Sequence, residues 1–389
     1  MKSLLAKLDY TLIFIVFLLF CASLITIYKA PLTSDVVGTN LSYTVHQGIW
    51  YVIGAVVAIA VFFFDYDRFK VFAWILYGLM TALLLGLFAA QHGLPVPFAH
   101  QSHGAYSWYQ LPGIGQFQPS EFVKIALILV ISRLIFKHNE ELPVRTIKDD
   151  FTLLGKIILV SLAPLGLVLL QPDLGTALVM VAIIGALVLV SGIRWRIIAG
   201  LILAMLLIAG LVVLAFLFVP NLLDHVLQSH QMERFYGWLD PYNHSNAEGF
   251  QLINSLNAIG SGQLYGVGLG DSTIYLPESF NDFIFSVVGN VFGFVGASVL
   301  IAIYFLLVYR IVNAALKTHD PFGSYICTGI IGMLTFTIFE NVGMTIQVLP
   351  ITGIPLPFMS YGGSSLIANM FAIGLVLSIE GRARKYMFD

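Results

Sequence analysis

A carboxylate that stands where a polar stretch gives way to an apolar one can act as a base, hold a cation or cap a helix. Asp282 is such a group: in LPESFNDFIF, residues 276 to 285, it is the last acid before the chain turns apolar. In QPSEFVK, Glu121 and Lys124 lie three apart, so on a helix they share one face and can pair; the alternative is a role in an aqueous cavity. In QPDLGTA, Asp173 follows Pro172 between two apolar runs, where it can cap a helix through the N–H of Gly175 or Thr176. Glu340, in FTIFENVGMT, is alone in an apolar run. Such an acid is protonated or paired, and the sequence names no partner for it. Arg234 is the only Lys or Arg in the 220–282 stretch. In TGIPLPFMSYGGSSL, Pro355 and Pro357 stop one helix, and Gly362 and Gly363 open another. The first N–H groups of that helix can hold an anion, although a simple turn explains the residues equally well.

These groups matter because of their surroundings. Of 389 residues, 58% are hydrophobic and 10% charged, with a mean hydropathy of +0.90. Soluble domains carry roughly 25% charged residues, so the chain is an integral membrane protein. Each ionisable group inside a span costs about 2.5–3.5 kcal/mol to insert. The net charge of −2 leaves no electrostatic footprint for nucleic acid. Cys21 and Cys327, both in apolar runs, cannot form a disulfide framework or a metal cluster. The N-terminal apolar run is long for a signal peptide and no small-residue cleavage site follows, so it reads as an uncleaved first helix.

Spans of about 20 apolar residues are predicted near 11–29, 48–64, 71–90, 119–136, 152–170, 174–192, 195–219, 283–309, 322–348 and 364–381, ten in all. Lys and Arg concentrate in alternate connections, which places both termini in the cytoplasm. The connections 91–118, 220–282 and 349–363 then face outward. Irregular backbone is excluded from hydrocarbon unless protein covers it or it lines a cavity, so function is expected on these segments. GVGLGD follows no predicted strand and is no dinucleotide fingerprint; its glycines suit tight turns or a close approach of backbone to a ligand. The outer histidines His92, His100, His103, His225, His230 and His244 are scattered. The 91–118 connection has no Asp, Glu or Cys to complete a zinc site with His100 and His103.

Five motifs occur in order: GAYSWYQLPGIGQFQPSEFVK, QPDLGTALV, GFQLINSLNAIGSGQLYGVGLG, PESFNDFIFSVVG and NVGMTIQVLPITGIPLPFMSYGGSS. Together they resemble the SEDS family (shape, elongation, division and sporulation) of bacterial polytopic membrane proteins over essentially the whole chain. The resemblance implies one all-α domain across 1–389, with about ten transmembrane helices and a large outer loop near 220–282, in the bacterial cytoplasmic membrane. It also implies a peptidoglycan glycosyltransferase beside a class B penicillin-binding protein. Such enzymes polymerise lipid II, the undecaprenyl-pyrophosphate-linked disaccharide-pentapeptide, on the outer face. Ser107–Trp108 resembles the elongation (RodA) type more than the division (FtsW) type. The family's essential aspartate falls at Asp282, expected to be the general base or a ligand of a catalytic Mg2+ or Mn2+. Expected substrate contacts are Glu121, Lys124, Asp173, Arg234, Gln251, Ser255, Ser360, Gly362 and Gly363.

On this reading a base accepts the proton of the attacking sugar hydroxyl as C1 inverts. Pyrophosphate leaves readily, so the second carboxylic acid of inverting glycosidases is not required. Positive charge from Arg234, Lys124 or a cation meets its need. The chain departs from the family where members commonly read HTDFIF and GEEFG: Phe280, Asn281, Asn290 and Val291 replace His, Thr and two acids. On one continuous helix the missing acids lie about two turns beyond Asp282, and Glu340 is the candidate for a carboxylate from a neighbouring helix. Two rival readings follow: a non-catalytic scaffold that activates the transpeptidase, and a lipid II flippase. The altered residues speak for the scaffold. Gly/Pro-interrupted spans speak for the flippase, although no internal repeat does.

Overall fold

Each predicted span forms a helix. The computed structural model describes residues 8–30, 40–102, 105–112, 115–218, 234, 236–244, 248–268, 276 and 279–383. The sequence readings at His103, His225 and His230 fall outside them. The helices are α1 Tyr10–Lys29, α2 Asn40–Phe63, α3 Phe69–Gln91, α4 Pro119–Glu141, α5 Ile147–Leu170, α6 Leu174–Val190, α7 Trp195–Phe218, α8 Glu248–Ser261, α9 Ile284–Lys317, α10 Pro321–Thr345 and α11 Gly363–Ala383. All but α8 coincide with predicted spans. Seven of them (α1, α2, α3, α5, α9, α10 and α11) are long and apolar enough to cross a membrane. Of the other three, α6 and the Trp195–Ile208 part of α7 are shorter apolar helices, and α4 carries Glu121, Lys124 and Arg133.

Polar residues set the starts. Asp9, Asp173 and Asp320 each accept backbone N–H groups at the heads of α1, α6 and α10. The centre of the bundle is α4, whose side chains from Ile125 to Ser132 are all buried. It packs against α3, α6 and α10, while α11 packs against α2. On α7, by contrast, Leu203, Leu206, Leu207 and Leu211 are exposed, as suits a helix face that meets lipid.

Two of the connections expected to face outward are more ordered than their composition suggests. Strands β1 Ala99–Ser102, β2 Ala105–Leu111 and β3 Gly115–Phe117 form a small antiparallel sheet in that order within 91–118. Tyr109 on β2 donates to the Leu83 carbonyl at 2.9 Å and pins the sheet to α3. The 220–282 stretch is not loop throughout, because α8 lies within it and packs on α9.

The predicted single span from 283 is broken. Gly293 sits at φ 65°, ψ −163° and divides α9 into two helical pieces. A break leaves carbonyls before it and N–H groups after it without helical partners, and the segment after α8 supplies both. Val267 and Gly268 donate to the carbonyls of Asn290 and Val291, at 2.9 and 3.2 Å. Phe294 and Val295 donate to the carbonyls of Gln263 and Leu264, at 2.8 and 3.1 Å. The two backbones touch so closely that a Cβ on Gly266 would lie 2.1 Å from the Val291 oxygen. At Gly266 the close approach is to the chain's own backbone, whereas a Cβ on Gly268 would meet open space.

A second irregular segment, 349–362, runs buried among α1, α2 and α9, and side chains take up its carbonyls. Tyr304 donates to Pro357 O at 2.5 Å, Ser23 to Met359 O at 2.8 Å and Gln47 to Ser360 O at 3.0 Å, while Tyr51 donates to Phe358 O. The Ser360 hydroxyl in turn accepts the Leu356 N–H at 2.7 Å. Tyr51→Phe and Tyr304→Phe each strand one buried carbonyl, at a cost of about 1–3 kcal/mol. Thermal melting in detergent is expected to fall for each variant and further for the pair. Unchanged melting in both would show that the loop needs neither hydroxyl.

Candidate active site

Asp282 lies on the turn just before α9, and its side chain is buried to 9% exposure. The N-cap position itself is Phe283, which makes no side-chain cap bond. The main chain of Asp282 is held by Asn341 of α10, whose Nδ2 donates to the Asp282 carbonyl at 2.7 Å and to the Ile354 carbonyl at 2.7 Å. The carboxylate faces Gly353, where an added Cβ would lie 3.5 Å from Oδ2. Gly353 is at φ +73°, so a side chain there would be strained as well.

Other expected residues converge on the same few residues of loop. Glu340 gains the partner the sequence could not name: Thr352 Oγ1 donates to its Oε1 at 2.9 Å. The Thr352 carbonyl accepts Arg234 Nη1 at 3.5 Å. From the opposite side comes the head of α6. A Cβ on Gly175 would lie 3.0 Å from Thr352 O and 2.6 Å from Ile354 Cγ1. Asp173 caps that helix through Thr176 N–H at 3.0 Å. Burial pushes its carboxyl above the ordinary range and the Thr176 N–H opposes this; the charges of Glu121 and Lys124 reach it with smaller effects of opposite sign. Glu121 and Lys124 pair at 2.9 Å and both are buried. Asp282, Arg234 and Glu340 thus meet residues 352–353 of this loop, the head of α6 packs on Thr352 and Ile354 through Gly175, and the charges of Glu121 and Lys124 act on Asp173 only weakly.

Other expected contacts have structural partners. Ser255 is buried; its hydroxyl donates to Thr345 O at 2.8 Å and shares a 2.6 Å hydrogen bond with Ser286, tying α8 to α9 and α10. Ser360 is engaged within the buried loop, as above. Gln251 is half-buried on α8. Trp50 lies against Gly363, whereas a Cβ on Gly362 would meet open space. Asn290, where the family resemblance led to an acid being expected, donates to Ser261 Oγ at 2.7 Å and Ala258 O at 3.2 Å. It ties the end of α8 to the first piece of α9. Phe280 stacks on Tyr43, ring centroids 5.1 Å apart. Sequence reasoning missed Asn341, Thr352 and Gly353; the available signal was a second polar side chain directly after Glu340 in an apolar run. Among the described residues, no three His, Cys, Asp or Glu side chains gather closely enough to hold a metal ion.

The family model described as cell cycle protein, covering FtsW, RodA and SpoVE, matches residues 10–385. The chain belongs to this family. The probable peptidoglycan glycosyltransferase FtsW of Geobacter metallireducens is 33% identical over 385 residues, 97% of this chain and 95% of that one. The peptidoglycan glycosyltransferase MrdB of Escherichia coli is 38% identical over 288 residues, 73% of each chain. Among solved structures, a chain of a peptidoglycan synthase complex that coordinates polymerization and crosslinking superposes with a TM-score of 0.74, at 31% identity, over 98% of this chain and 99% of that one. The rod shape determining protein RodA of Thermus thermophilus gives 0.66 at 26% identity, over 96% and 97%. This SEDS chain is therefore a multi-pass protein of the bacterial cytoplasmic membrane.

A buried ion pair that loses one member leaves a charge uncompensated, at about 3–5 kcal/mol. Lys124→Met alone should lower thermal stability by that order, and Lys124→Met with Glu121→Leu should recover most of it. A single variant as stable as the wild type would mean that water, not Lys124, solvates Glu121.

Proposed function

We propose that this SEDS protein is an inverting peptidoglycan glycosyltransferase that polymerises lipid II at the outer membrane face, with Asp282 as its base. The observation that carries the reading is the fixing of Asp282. Its main chain is tied to α10, and its carboxylate meets a loop that also engages Glu340 and Arg234. Relatives named as peptidoglycan glycosyltransferases support the reaction class.

Asp282 takes the proton of the attacking sugar hydroxyl as the bond at C1 changes hands. A base at the end of a span can meet a sugar in water while the polyprenyl chain stays in the bilayer. Arg234 beside Thr352, and Lys124 beyond Asp173, offset the growing negative charge on the pyrophosphate. Mg2+ commonly keeps several waters and binds through one or two carboxylates plus substrate phosphates. A site with Asp282 as its protein ligand fits that pattern, and the cation would supply further positive charge to the leaving group. Ser107–Trp108, which resembles the elongation type, favours that role over division. A class B penicillin-binding protein as partner is supported by the likeness to a chain of the synthase complex.

The test is reconstitution with lipid II, Mg2+ and a class B partner, with glycan products resolved on a gel. Asp282→Ala is expected to lose at least about 100-fold in rate while still folding and binding lipid II, and chelating the cation should stop the wild type reversibly. Full activity in the variant ends the assignment. No ladder from the wild type, even with its partner bound, favours the scaffold reading that Asn290 and Val291 first suggested.

A further inference from the structure

The geometry points to Asn341 as the residue that positions the base, an inference that rests on Asp282 having that role. Asn341 is fully buried on α10. Its one amide nitrogen donates at 2.7 Å to the carbonyl of Asp282 and at 2.7 Å to the carbonyl of Ile354. One side chain therefore fixes two separate pieces of backbone: the turn that carries the carboxylate and the loop that the carboxylate faces.

The residue before it completes the arrangement. Glu340 accepts the Thr352 hydroxyl at 2.9 Å, so consecutive residues of α10 hold Thr352 and Ile354 and bracket Gly353 between them. Gly353 is the residue against the Asp282 carboxylate. The spacing between base and facing wall is thus set by α10, not by the flexibility of either loop. The chemistry asks for an amide. Two acceptors must be met from one point by two N–H bonds in a planar fork, which the side-chain NH2 of Asn supplies; Ser offers one donor and an ionised Asp none. Both carbonyls are buried backbone acceptors that need a partner. Freeing them lets the turn and the loop drift apart, and a misplacement of about 1 Å at a reacting group can cost about 100-fold in rate.

The measurement is turnover of lipid II per molecule that binds lipid II, so that any unfolded fraction cancels, for Asn341→Ala, Asn341→Leu and Asp282→Asn in parallel. Asn341→Ala removes the donor, and Asn341→Leu does so while filling the volume. Either Asn341 variant is expected to lower kcat about 100-fold with KM for lipid II changed less than about twofold. Wild-type kcat per binding-competent molecule overturns the positioning role, and so does loss of lipid II binding in both Asn341 variants, which would make the residue purely structural. Wild-type turnover by Asp282→Asn would instead remove the reading on which the inference rests.

Discussion

Inside an apolar bundle, every backbone N–H and C=O that leaves a helix needs another partner, because no water is there to take it. Two breaks in this chain are governed by that requirement. At Gly293 the partners are backbone groups of 263–268, and in the 349–362 loop they are side chains from α1, α2 and α9. Each stray carbonyl fixes a donor elsewhere, so the irregular parts of the molecule are specified as tightly as the helices.

The site depends on the same constraint. Asn341 meets two carbonyls that no helix can satisfy, and Asp282 and Ile354 are held by it. Ser255, Ser286 and Asn290 fasten α8 to the first piece of α9 by the same logic. At the other end of the bundle the solution is ionic. Arg310 bonds Asp9 through Nε at 2.8 Å, and Lys317 meets Glu380 at 3.3 Å, joining α1, α9 and α11. Asp9, Arg310, Lys317 and Glu380 thus tie helix ends together, while Asp282, Glu340 and Arg234 gather at residues 352–353.

The helices were legible because long apolar runs have only one stable form in a bilayer. Asp282, Arg234, Glu121, Lys124, Asp173 and Glu340 were legible because a charge in such a setting is costly enough to need a reason. What stayed hidden was pairing at long range. Nothing local in NVGMT says that its Asn reaches a residue 59 positions earlier, and nothing in ITGIP marks Thr352 as the partner of Glu340. The break at Gly293 was hidden for a related reason. GNVFGFVG reads as helix until the segment that satisfies the break, supplied from 263–268, is placed beside it. For Ser255 and Ser360, expected as substrate contacts, the sequence did not show the buried hydrogen bond that each makes.

The contact at Gly262, Gly266 and Gly293 also limits how this protein can evolve. A Cβ at any of the three would lie within 2.4 Å of main-chain atoms. Every single-base change that replaces a glycine yields either a residue with a Cβ or a stop. No one-step mutant at these three codons keeps the contact, so the region can drift only through rare compensated changes in both segments. Lineages that inherit the broken helix are in effect locked into it.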